Sequence, residues 1–300
     1  MSLWIPVTLA AALFQTVRFM LQKSLATVKL SASGATFARF LYSAPLALAG
    51  LFIATTAGGF DLPELGPRFW LFVAIGGTAQ ILATICVVAL FKQRNFAVGI
   101  TFKKTEVIQT AIVGFVILGE GVSFGALGAI LLGLAAVLLL SKTPGGSGAW
   151  WRHLTNRASQ LGLGSGVLFA FSAVSYRAAS LELGDLTPWF RALVTLAAVV
   201  SFQLVSMALW LWWRDRAQLA AVWATRNTGA FVGLTSLGGS FCWFLAFTLQ
   251  NAAYVKALGQ VELIFSLMAS TLFFREKITG REIAGIALLG LSILALVLAI

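Results

Sequence analysis

The sequence predicts an all-α integral membrane protein with ten transmembrane helices, arranged as two inverted-topology five-helix repeats. Three observations carry this reading. Hydrophobic residues make up 59% of the 300 and charged residues 10%, where a soluble domain carries about 25% charge. Mean hydropathy is +0.93. Apolar runs near the ~20 residues a helical span needs recur ten times, and the two halves of the chain repeat polar residues at a fixed offset.

The ten spans fall at 3–25, 34–57, 67–91, 96–118, 123–141, 160–181, 187–212, 227–250, 253–274 and 279–299. Their apolar runs are continuous, not alternating, which argues against a β-barrel. The opening MSLWIPVTLAAALF lacks a basic start and continues into a full span, so it reads as a helix and not a cleaved signal. The breaks at Arg94–Asn95 and Gln250–Asn251 are very short and imply tight antiparallel hairpins. The longest polar break, Ser141–Gln160, holds the only histidine, His153, and an interfacial tryptophan pair, Trp150 and Trp151. It divides the chain into a first repeat (1–143), a linker (144–158) and a second repeat (159–300).

A shift of 156 residues aligns Phe91–Glu120 with Phe247–Glu276 without a gap. Six of the 30 positions are identical, among them the polar pairs Asn95/Asn251, Glu106/Glu262 and Glu120/Glu276. The same shift pairs Cys86 with Cys242, and Arg39 answers Arg191 at a shift of 152. Five is odd, so two five-span halves enter the membrane in opposite orientations. Inverted repeats of this kind are typical of secondary transporters.

The net charge is +11. Its basic residues cluster in the short breaks, so they point to topology and anionic lipid headgroups instead of nucleic acid. The odd-numbered loops hold Lys92, Arg94, Arg214, Arg216, Arg275 and Lys277 among others, whereas the even loops hold essentially Arg68. The positive-inside rule then places the odd loops in the cytoplasm and both termini outside. The expected location is the bacterial inner (plasma) membrane. Cys86 and Cys242 lie in apolar runs and read as packed thiols. No metal and no cofactor is expected. The partners implied are the lipid bilayer and a small-molecule substrate, with an assembly compatible with a monomer.

The stretch FKKTEVIQT puts Lys103, Lys104 and Glu106 at mid-span, where a charge costs about 2.5–3.5 kcal/mol on insertion scales. At 100° per residue Lys103, Glu106 and Thr110 share a face flanked by Gln109, and Lys104 points elsewhere. In the ninth span Asn251, Gly259, Glu262 and Ser266 share one face, Lys256 and Gln260 another. These faces line the substrate path, or Lys103–Glu106 is a neutralising pair within one helix while Glu262 bonds to a neighbour. A buried carboxylate also admits proton coupling. Arg39 and Arg191 fit either gating and anion binding or snorkelling to the membrane edge. Gln15 and Arg18 need partners if the first helix faces the bundle. Tyr42, Tyr176, Trp243 and Tyr254 are candidates for an aromatic lining, with packing or interface anchoring as the alternative. Gly76, Gly77, Gly99, Gly238, Gly239 and Gly259 permit close packing or hinge bending. Glu120 and Glu276 are expected at the water edge, bonded to backbone N–H groups opening the next helix.

The two repeat ends, VILGEGVSFGALGAILLGLAAVLL and LFFREKITGREIAGIALLGLSILALVL, complete a pattern that resembles the drug/metabolite transporter superfamily in its ten-span EamA-type branch. The resemblance rests on the two five-span repeats and on the exit glutamates Glu120 and Glu276. It implies a central cavity and alternating access for metabolites such as amino acids, sugars, nucleosides or drugs, with the aromatic-amino-acid exporter group as one candidate. The chain departs from the family in having Val107 and Leu263 where a mid-span proline is common.

Other function classes fit less well. A membrane metalloprotease needs paired histidines, and an aspartyl site needs two membrane aspartates. Neither set is in the spans. No phosphate-binding loop supports an ATP-driven pump. A passive channel and a multidrug efflux carrier remain the alternatives to a metabolite exporter.

Overall fold

The computed structural model describes residues 2–28, 30–90, 103–140, 157–265, 267–268 and 280–300, with backbone alone for 23–28. The helices are α1 (Trp4–Val28), α2 (Ala32–Thr56), α3 (Pro67–Leu90), α4 (Glu106–Leu118), α5 (Phe124–Leu140), α6 (Arg157–Leu181), α7 (Pro188–Arg214), α8 (Arg216–Ala224), α9 (Arg226–Leu249), α10 (Ala252–Leu258) and α11 (Gly280–Leu298). Seven of them, α1, α2, α3, α6, α7, α9 and α11, are long and apolar enough to cross a membrane, while α4 and α5 are shorter apolar helices. The protein is thus an all-helical, multi-pass membrane protein. The predicted span segments 96–102 and 269–274, and most of the linker, lie outside the described residues.

Local sequence explains the helix ends. Pro188 opens α7, where a missing amide hydrogen costs nothing. Ser31 caps α2 by accepting from the Gly34 N–H at 3.0 Å. Gly119 ends α4 in the left-handed region, φ 68°, and its N–H returns to Phe115 O at 3.0 Å. The sequence reading missed α8. Nine residues mixing apolar and polar types fall below the length of a span, yet α8 has a clear task. Its Gln218 Oε1 accepts from both the Ser31 N–H at 3.0 Å and the Ser31 hydroxyl at 2.9 Å. It thereby pins the start of α2.

The bundle is knit by contacts between the halves. The most extensive pairings are α3 with α6, α9 with α1, and α5 with α11. Glycines let these backbones approach. A Cβ at Gly76 would stand 2.7 Å from Tyr176 Cε1, and one at Gly77 2.7 Å from Phe202 Cδ1. At Gly238 and Gly239 it would stand 3.0 and 3.1 Å from Phe14 atoms. All four sit inside continuous helix and in close packing contacts. Gly259 packs against the Trp243 ring, and Gly99 lies outside the described residues.

Two segments depart from α-helical geometry inside the bundle. Residues 104–105 form a turn just ahead of α4, and Gly259–Val261 form a 3₁₀ turn before helix resumes at Glu262. The two breaks correspond under the 156-residue offset. Both keep right-handed dihedrals at their edges, and a 3₁₀ stretch inside a helix often marks a functional or strained position. Here both breaks point to the same interior region.

Candidate functional site: a cationic cavity at the helix breaks

Glu106 opens α4 and Glu262 opens the resumed helix, a favourable end for a carboxylate in the helix dipole. The two come together in one network. Lys103 Nζ stands 3.6 Å from Glu106 Oε2, and Lys256 Nζ stands 3.6 Å from Glu106 Oε1. Lys104 Nζ donates to Glu262 Oε2 at 3.4 Å, which also accepts from Gln15 Nε2 at 2.7 Å. Gln15 Oε1 accepts from Trp243 Nε1 at 3.1 Å and from Arg18 Nη2 at 3.5 Å. Lys103–Glu106 is therefore a local i,i+3 pair across the turn, Glu262 is bonded to a neighbouring helix, and Lys104 does turn to another element. Aromatic faces take part of the remaining charge. Lys256 Nζ lies 5.1 Å from the Trp243 ring centre and 5.3 Å from Phe169, and Lys103 lies 5.1 Å from Phe169.

Beside this network is a cavity of about 30 Å³. That is room for a water or two, well below the several hundred Å³ of a typical ligand site. A solute of several heavy atoms would require the cavity to widen. Its charged wall consists of Arg18, Arg39 and Lys256, and its aromatic wall includes Phe169, Tyr176, Trp243 and Phe244. Arg39 does not reach for the membrane edge. It is buried and donates to the hydroxyls of Ser236 at 2.6 Å, Ser240 at 3.0 Å and Thr84 at 3.5 Å. Tyr176 donates to Gly76 O at 3.0 Å and stacks on Phe244 with ring centres 4.3 Å apart.

Other predicted residues lie elsewhere. Tyr42 packs on Gly229 and Gly233 and donates to Val222 O at 3.3 Å. Arg191 donates to Ser180 O at 2.8 Å. Gln109 bonds Thr105 Oγ1 at 3.1 Å. Asn251 caps α10 through the Ala253 N–H at 2.8 Å, and Tyr254 accepts from the Ser123 N–H at 3.2 Å. Gln260 is buried near the break, and Ser266 lies outside the described residues. Glu120 differs from expectation. Its partner is a guanidinium, not a backbone N–H of the next helix: Arg177 Nε reaches its two oxygens at 2.7 and 2.8 Å. Arg177 was not singled out in the sequence, although a lone arginine in the apolar run AFSAVSYRAASL was a signal. Phe169, Gln80, Ser236 and Ser240 were also missed, because apolar and hydroxyl residues are unremarkable in a span.

Among the described residues there is no metal-ligand cluster, and Cys86 and Cys242 are free thiols. Residues 157–298 match the EamA-like transporter family. The match covers just under half of the chain, and the family it names is one of carriers of small molecules. No curated protein matches the chain. Among solved structures, 29 chains match. One, titled only "Crystal structure of protein", is 16% identical, has a TM-score of 0.66, and covers 97% of this chain and 99% of its own. At that identity the likeness concerns the fold alone.

Proposed function

We propose that the chain is a secondary transporter that exports small metabolites by alternating access through this cavity. On this reading it has ten spans in two inverted repeats, 1–143 and 159–300, joined by 144–158, with both termini outside. One observation carries the proposal. Two helix breaks at equivalent positions, Lys104–Thr105 and Gln260–Val261, are each followed by a glutamate, and both glutamates enter one buried charge network beside one cavity. Broken helices meeting at mid-depth between repeats are how many transporters build their sites.

The packing supports the same reading. Exchanging the repeats turns the third span into the eighth and the sixth into the first. The pairings α3–α6 and α9–α1 are then images of each other; Gly76 lines the first, and Gly238 and Gly239 line the second. The test is flux into and out of liposomes against a panel including amino acids and drugs, with and without a pH gradient. Saturable exchange is the expected result, and flux linear in concentration points to a channel. Proton coupling predicts loss of the gradient response in Glu106→Gln or Glu262→Gln; flux indifferent to the gradient and equal in both variants rejects it.

A further inference from the structure

Resting on that carrier reading, we infer that the cavity takes a small organic anion, a carboxylate or phosphate on an apolar body, with its charged group held between Arg18 and Arg39. The charge balance is the first argument. Arg18, Arg39, Lys103, Lys104 and Lys256 are buried, and the carboxylates paired within this cluster are Glu106 and Glu262. The formal excess is three positive charges. A guanidinium does not shed its proton in a protein, so the two arginines cannot relieve it.

The distribution is the second argument. Both carboxylates are engaged by lysines, and neither is on the cavity wall. The wall's charged groups are Arg18, Arg39 and Lys256. Lys256 has Glu106, whereas Arg39 has hydroxyl partners and the face of Phe40 at 5.2 Å, and Arg18 has Gln15 and the face of Phe19 at 4.4 Å. Arg18 Nη1 is buried without a hydrogen-bond partner among the described residues. Planar guanidinium forks match carboxylate and phosphate oxygens. An ammonium, by contrast, finds no carboxylate on this wall. The rings of Phe169, Trp243 and Phe244 offer the apolar body a surface.

A set of probes sharing one phenyl ring separates the charges: phenethylamine (cation), phenylalanine (zwitterion), phenylpyruvate (carboxylate) and phenyl phosphate. The full chain is assayed twice, by thermal protection in detergent and by counterflow in liposomes. At least one anion should raise the melting temperature and exchange saturably, and phenethylamine should do neither. The two anions distinguish carboxylate from phosphate recognition. Arg18→Gln and, independently, Arg39→Gln should each weaken anion protection at least tenfold, with Arg18→Lys as a charge-matched variant. Protection by phenethylamine or phenylalanine at lower concentration than either anion overturns the inference. So does protection by neither anion, or anion protection unchanged in both glutamine variants. Saturable exchange of a cation or zwitterion would leave the carrier reading standing while the anion inference falls. Flux linear for every probe would remove the carrier reading itself.

Discussion

Two ionic networks in this molecule use the same chemistry for different ends. At the periphery Arg177 and Glu120 form a closed clasp. Arg177 gives Nε to both carboxylate oxygens at 2.7 and 2.8 Å, places Nη2 2.7 Å from Oε1, and spends Nη1 on Phe247 O and Gln250 O at 2.7 and 2.8 Å. This ties α6 to the turn after α4 and to the end of α9. In the central network the charged pairs stand 3.4–3.6 Å apart. Arg18 Nη1, Glu106 Oε2 and Gln260 Oε1 have no hydrogen-bond partner among the described residues. A fully satisfied network rigidifies, and a partly satisfied one stores unmet demand. Short, closed geometry suits the clasp to a structural role, and loose, unbalanced geometry at the centre is what the proposed solute site rests on.

Breaking the clasp should have the largest effect on stability. Arg177→Ala leaves Glu120 and two carbonyls without donors, and removing one partner of a buried pair costs about 3–5 kcal/mol. The pair is partly exposed, 13% and 22%, so we expect about 3 kcal/mol, read as a lower midpoint of thermal unfolding in detergent. Midpoints equal to the parent's would show that the clasp carries no stability. Glu262→Gln should have a smaller effect. Lys104 loses its carboxylate and the central excess grows by one, while the amide oxygen still accepts from Gln15. About 1–3 kcal/mol is the expected loss, again by thermal unfolding, and an unchanged midpoint would argue that Lys104 is already neutral there. Gly76→Ala tests the packing around both networks. Its methyl would press on Tyr176 and Ser175, for about 1 kcal/mol of overpacking; Gly239→Ala, with a looser contact, should cost less in the same assay.

Much of this contrast was visible in the sequence, and its limits were physical. The long apolar runs marked the spans, because burial of apolar length is a local property. The repeated Glu106 and Glu262 marked the centre, because ionisable groups are rare in lipid and the offset exposed them. The division of labour between Lys103 and Lys104 followed from helical spacing. The partnership of Arg177 with Glu120 joins residues 57 apart in the chain, and nothing local specifies it. The union of Arg18 with Arg39 likewise depends on how α1 and α2 meet α9. The break at Gly259–Val261 was hidden because its residues are compatible with a continuous apolar helix. Glycine there was noted, but not the turn.

The central claim is that the under-neutralised cavity, and not the clasp, is the solute site. Its most direct test is saturable counterflow by Arg18→Gln in liposomes, at matched protein insertion. Removing one of the excess cations relieves repulsion, so the variant should fold with an undiminished melting midpoint. Its counterflow should nevertheless fall at least tenfold, the scale on which loss of a buried ligand-binding charge acts. A folded Arg18→Gln variant that exchanges solute at the parent's rate would contradict the account.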